Sequence, residues 1–230
     1  SRQSEKKGAV FKLIRAKKAA CLFLLILVML PVSGCWNKRE VNDMSYITAF
    51  GVDRIVADGK PQFNVSMLVV RTAGTAVEAD GIGGMPRSQR MGAGDVISAQ
   101  GETVFDAVRN WNLRSPRQLF LSHSLVLVIG EEMAKEGIGE LIEFAARHRE
   151  FRLRSWVVVC RGKAVDALQV RPEFEKLASV EIARTIERNK PRVSKAEASD
   201  LFQVMYDVLT PGKEAVVAHL KLFPPPEKSS

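Results

Sequence analysis

Cysteine and histidine are scarce in this chain, which has three of each in 230 residues. Cys21 and Cys35 both fall within the first 35 residues, in and just after an oily run, which leaves Cys160 without a partner in the rest of the chain and excludes a disulfide framework. Cys160 itself closes the apolar run "WVVVC" and reads as a small buried hydrophobe. His123, His148 and His219 have no second His, Cys or carboxylate at a metal-ligand spacing, so no metal site is legible. The Gly-x-Ser-x-Gly elbow and the dinucleotide-binding glycine fingerprint are also missing. His123 lies between Ser122 and Ser124, but neighbours in a strand face opposite sides and cannot pair as base and nucleophile, so a structural strand histidine is expected. No catalytic residue and no cofactor are expected, and the chain does not read as an enzyme. Asp43 and Asp53, beside apolar strands, read as capped structural carboxylates.

One long apolar run is present. Arg15, Lys17 and Lys18 form a basic flank, and Ala19 to Leu30 follow without charge, the order of an export signal. Uncharged residues continue to Trp36, close to the roughly 20 apolar residues that a membrane span needs, but Pro31, Ser33 and Gly34 suit a lipid-facing helix poorly. Val32, Ser33, Gly34 and Cys35 have the order of a lipobox: a branched apolar residue, two small residues, then a thiol. Small residues let a peptidase reach the backbone, and the thiol is the nucleophile that accepts a diacylglyceryl group. Residues 1–34 are therefore expected to be a lipoprotein signal peptide, with Cys35 the lipidated first residue of the mature chain.

The charge balance follows from this. The whole chain carries +8, but residues 1–34 hold seven basic residues against one acidic, leaving 27 and 25. The mature domain is near neutral, and a nucleic-acid partner is set aside.

From Cys35 onward the patterns mix strand and helix. Phe63, Val65, Met67 and Val69 interleave with Asn64, Ser66 and Leu68 after an Asp58-Gly59 turn, predicting a hairpin with the run "YITAFGVDRIV". Strands are also expected at Val96 to Ala99, Leu119 to Ile129 and Trp156 to Cys160, the second of these at the centre of the sheet with helices on both faces. Val104, Ala107, Val108 and Trp111 have helical spacing, as do Ile138, Leu141, Ile142 and Ala145. Two later helices are expected in "EKLASVEIARTIERN" and "SKAEASDLFQVMYDVL". The second of these opens on a Ser194 and Glu197 capping box and buries Ala198, Leu201, Phe202, Met205 and Val208. Residues Arg71 to Gly94, rich in Gly with no period, read as a surface loop; no Gly-Lys-Ser/Thr follows, so a phosphate cradle is not expected. A last strand at Ala218 to Leu222 precedes "PPPEKSS". The fold class is α/β (mixed α+β), with an N-terminal hairpin and a mixed sheet flanked by helices. Residues 35–192 form the main domain, and residues 193–230 are expected to be the start of a second, truncated one.

Several of these segments are familiar. "GCWNKREVND", with Cys35, Trp36, Arg39 and Glu40, resembles the opening of the mature C subunits of spore germinant receptors, the Ger(x)C family of lipoproteins. "AFGVD", "GETVFDAVRN" and the stretch from Phe120 to Leu168 look like the same family's hairpin, first helix and strand-helix-strand core. Asn37 stands where the family commonly has Asp, and the family continues into further α/β domains. The resemblance implies a non-enzymatic subunit of a nutrient-sensing complex in spore germination. It would be anchored by diacylglyceryl on the outer face of the bacterial cell membrane, in the spore's inner membrane, with the polytopic A and B subunits as partners. The opposing class is a solute-binding lipoprotein of a transporter, although repeated βαβ units forming two lobes are not visible. A subunit without an active site acts through its surface. The candidates are the run "RHREFRLR", with Arg147, Arg149, Arg152 and Arg154, and the loop Arg71 to Gly94, which is too long for a simple connection. The four arginines also suit anionic headgroups, or simply close a helix whose C-terminal dipole favours cations.

Overall fold

The computed structural model describes residues 44–57, 59–70, 94–189 and 198–222, together with the isolated helical and exposed positions Arg15, Lys17, Lys18, Ala20 and Phe23. The chain divides into two compact units, Ser1–Val41 and Asn42–Ser230, and all the described strands belong to the second.

Alternating side chains in two adjacent segments produce the expected hairpin: β1 (Met44–Ala57) pairs antiparallel with β2 (Lys60–Val70), closing at Ala57 opposite Lys60. Gly59, at φ 73°, takes the left-handed conformation that so short a turn requires. β3 (Gly94–Gly101) adds antiparallel to β2. A bulge between Ile47 and Ala49 shifts the alternation of β1, so that Ile47 and Phe50, three positions apart, enter the same core.

The chain then becomes helical as the hydrophobic period lengthens. α1 (Val104–Asn112) starts at Thr103, whose Oγ1 accepts from the Asp106 amide at 3.0 Å, and buries Val104, Ala107 and Val108. There follow β4 (Gln118–Phe120), a single 3-10 turn (Leu121–His123), β5 (Val126–Gly130), α2 (Glu131–Glu136), α3 (Gly139–Arg147), β6 (Trp156–Cys160) and α4 (Ala164–Gln169). The last elements are α5 (Ala178–Asn189), α6 (Leu201–Leu209) and β7 (Ala218–Leu220). The seven strands make one mixed sheet in the order β3-β2-β1-β5-β6-β7, with β4 on β1; β1, β5, β6 and β7 run parallel. Leu127, Ile129, Phe50, Val65 and Met67 meet α1, α2, α3 and α6 on one face. Val126, Val128, Val158 and Cys160 meet α4 and α5 on the other. β5 is buried at every residue, as a parallel strand with helices on both faces must be.

Three expectations are corrected. The apolar stretch Leu119 to Ile129 is not one strand: it breaks at the 3-10 turn, and His123 sits in that turn rather than on a strand. The break has local causes. The Ser124 amide closes the turn onto the Leu121 carbonyl (3.0 Å), and the Leu125 amide then joins the Thr48 carbonyl (2.8 Å), stepping the chain from one length of β1 to the next. α6 begins only at Leu201, where the Asp200 side chain accepts from the Gln203 amide at 2.9 Å; Ser194 and Glu197 lie outside the described residues. Its buried face is Leu201 and Val204, with Phe202 and Val208 turned to solvent. Residues 198–222, expected to open a second domain, instead pack here: α6 joins the core and β7 pairs parallel with β6, Val158 opposite Ala218.

Candidate functional site

The parallel strands give the sheet two unlike poles. At the end toward which β5 and β6 run, Asp53 is buried and its carboxylate accepts from the Ala164 amide (2.5 Å) and the Val165 amide (3.1 Å), fastening the start of α4 to β1. Burial raises its carboxyl above the ordinary value against the opposing pull of those two amides. Gly130 lies beside it, and a β-carbon at that position would run into the Asp53 carboxylate. Glu131 accepts from the Gly162 amide at 3.2 Å. Cys160 is buried here too; burial pushes its thiol up to about 12, so it stays protonated and inert at neutral pH. This pole is locked by internal hydrogen bonds. The capped carboxylate expected at Asp53 is present, whereas Asp43 lies outside the described residues.

The opposite pole is where β1, β4, β5 and β6 begin, and it carries the candidate arginines. His123 stacks on Tyr46 at 5.5 Å between ring centroids and meets the ring of Phe120 edge-on at 5.2 Å. Ser122 donates to the Glu150 carbonyl (3.1 Å) and Ser124 to the Val126 carbonyl (3.3 Å), so neither hydroxyl is directed at His123. The segment from His148 to Ser155 links α3 to β6 across this pole and is anchored from below. Phe151 packs at 5.2 Å from Phe50 and 5.9 Å from Phe144, and the Ser155 hydroxyl is shared between the carbonyls of Ser124 (2.7 Å) and Arg152 (2.8 Å). The start of α6 is tied to the same segment, Leu201 N to Ser155 O and Phe202 N to Leu153 O, both at 2.9 Å.

Four arginines stand on this fixed backbone. Arg147 pairs with Glu143 one helical turn earlier, at 2.8 Å. Arg149, Arg152 and Arg154 are exposed, and none of the three has a carboxylate within ion-pair distance among the described residues. Between them, the Nδ1 of His148 is buried with no hydrogen-bond partner among the described residues, and burial lowers its pKa below the ordinary value.

The remaining candidate residues are not brought to this site by the described structure. Val32, Ser33, Gly34 and Cys35 lie outside the described residues, as does the loop from Arg71 up to Gly94, where β3 starts. An open cavity of about 540 Å³ sits at the edge of the sheet, lined by Asn64, Ser98, Gln100, Asn110 and Arg114 with Ala99 and Leu113. Four of its polar side chains are already engaged, Asn64 and Ser98 with Ser66, Asn110 with the Gln100 carbonyl and Arg114 with the Asn110 carbonyl. Among the described residues there is no cluster of three metal-ligating side chains, and no helix is long and apolar enough to cross a membrane.

Sequence reasoning located the arginines but missed their neighbours. Nothing in the linear pattern joins Leu153 to Phe202, because their proximity is made by the backbone bond that starts α6.

The fold defines the class: a mixed α/β domain with helices on both faces of one sheet, with Arg149, Arg152 and Arg154 exposed at one end of it. The chain belongs to the spore germination protein N-terminal domain family, whose model matches residues 37–222. Spore germination protein KC of Bacillus subtilis (strain 168) is 29% identical over 198 residues, covering 84% of this chain and 46% of that protein. Spore germination protein YndF of the same organism is 25% identical over 173 residues, covering 69% of this chain and 43% of that protein. The chain thus spans less than half the length of these relatives. No solved structure matches it.

Proposed function

We propose that this protein is the C subunit of a nutrient germinant receptor: a non-enzymatic lipoprotein held by diacylglyceryl on Cys35 at the outer face of the membrane, assembled with the A and B subunits in the spore's inner membrane. The observation that carries the reading is the family match, which begins at residue 37, two residues after the lipobox thiol. Val32, Ser33 and Gly34 supply the approach for lipidation and cleavage, and Arg147, Arg149, Arg152 and Arg154 are the surface offered to partners or membrane. One acyl chain holds a protein only marginally, whereas a diacylglyceryl group supplies two. The test is mass spectrometry of the native N-terminal peptide, with co-purification of the tagged full-length protein from spore membranes. A diacylglyceryl-modified Cys35 and recovery of polytopic partners are expected; an unmodified thiol, or recovery without partners, defeats the proposal.

A second reading, a solute-binding lipoprotein, has the open polar cavity at the sheet edge in its favour. Ligand sites ordinarily enclose about 70–90% of the ligand surface, and this one is open to solvent. Calorimetric titration with amino acids and sugars checks it, saturable heat that disappears in Asn110→Ala being the result that favours it.

A further inference from the structure

We infer that the pole formed by Arg149, Arg152, Leu153, Arg154 and Phe202 lies directly on anionic lipid headgroups beside the anchor. This rests on the reading of Cys35 as the lipidated residue. Three independent features meet at this pole.

The first is its place in the topology. Met44 opens β1 at the same end of the sheet, because β1, β4, β5 and β6 run parallel and the arginine segment immediately precedes β6. Cys35 is nine residues before Met44, a tether of at most about 30 Å. A tether of this length keeps the end from which it leaves within reach of the bilayer.

The second is charge. Arg149, Arg152 and Arg154 are exposed with no carboxylate partner among the described residues, so docking on phosphates breaks no ion pair. Glu150, within the run, Asp200, which caps α6 two residues before Phe202 and bridges Trp156, and Glu187, whose Oε1 receives the Trp156 indole N–H at 3.4 Å, are acidic groups near this pole, and they do not outnumber the arginines.

The third is an apolar wedge. Leu153 is 43% exposed between two of the arginines, and Phe202, 59% exposed, is held next to it by the bond from its amide to the Leu153 carbonyl. Basic heads around exposed Leu and Phe make an interfacial surface, in which the apolar groups enter the headgroup boundary while the guanidinium groups reach phosphate.

The test uses the chain from Trp36 to Ser230, which lacks any lipid yet keeps every residue of both core clusters. It is sedimented with vesicles of phosphatidylcholine alone or mixed with phosphatidylglycerol. At about five-fold in partitioning per arginine, the mixed vesicles should bind roughly 10²-fold more strongly, and added salt should weaken this. Arg149→Glu with Arg152→Glu and Arg154→Glu should abolish the preference, and Leu153→Ser with Phe202→Ser should lower binding to the mixed vesicles several-fold. The reversal Lys60→Glu with Arg161→Glu, at the opposite pole, should change little. Equal binding to both vesicle types, or a triple arginine variant that binds like the parent, overturns the inference. An arginine variant that binds vesicles normally but slows germination likewise overturns it, in favour of a protein partner. Because the tested chain carries no lipid, failure here is distinct from failure to find lipid on Cys35.

Discussion

The two poles of the sheet are the opposite ends of the same parallel strands, yet one is turned inward and the other outward. At the Asp53 pole a buried carboxylate holds two amides of α4, and Gly130 admits no side chain beside it. At the arginine pole the backbone is held by Ser155, Phe151 and the start of α6, but three guanidinium groups face solvent without carboxylate partners among the described residues. The difference separates a buried charge that the chain's own donors saturate from exposed charges that the fold leaves open to solvent on a fixed backbone.

The floor shared by both poles is tested by Val126→Asp. Val126 is fully buried between β1 and β6, and an unpaired carboxylate there should cost about 4 kcal/mol or more, enough to unfold the domain and lose both poles in a denaturant titration.

Asp53→Ala breaks the locked pole alone. Two amides lose their acceptor, and the loss should be about 2–3 kcal/mol in chemical denaturation. Because the folded-state pKa of Asp53 is raised above 3.8, the folded chain binds this proton more tightly than the unfolded chain in the window between 3.8 and the folded value. The parent's advantage over the variant should therefore be greatest in acid and shrink as pH rises through the folded value.

The arginine pole carries the opposite pH signature. The pKa of His148 is lowered from 6.5, so the unfolded chain takes up the proton first and stability is lost as pH falls below 6.5 toward the folded value. His148→Phe should remove that part of the slope, measured as the difference between the melting temperatures of parent and variant across this range.

The smallest effect on folding is expected from Arg152→Glu with Arg154→Glu. Exposed and without carboxylate partners among the described residues, they should change stability by no more than about 0.5 kcal/mol while slowing nutrient-triggered germination in spores that contain normal amounts of the protein. Loss of stability comparable to that of Asp53→Ala would erase the contrast between the poles.

Much of the fold was legible where pattern and burial are local. The hairpin at Gly59, α1 with its Val104, Ala107 and Val108 face, and α3 all lie where their spacing places them. The break within Leu119 to Ile129 was not legible, because an apolar run says that residues are buried without saying that Ser122 and Ser124 bond the backbone and turn it. The start of α6 was misplaced for a similar reason. Asp200 competes as a cap with residues further upstream, and its choice depends on the bonds from Leu201 and Phe202 to the β6 approach.

By itself the sequence determined the alternation of strands and helices, the near-neutral domain after Cys35, the buried and inert Cys160 and the presence of four arginines in one short run. Tertiary structure alone decided that β7 and α6 complete the first sheet and core, that Asp53 locks α4, and that the arginines share a pole with Met44, Leu153 and Phe202. Periodicity reports which face of an element leaves water, a property of neighbouring residues. Which distant elements share an end of the sheet depends on strand direction and pairing order, which are set by long-range backbone hydrogen bonds and the packing of both faces.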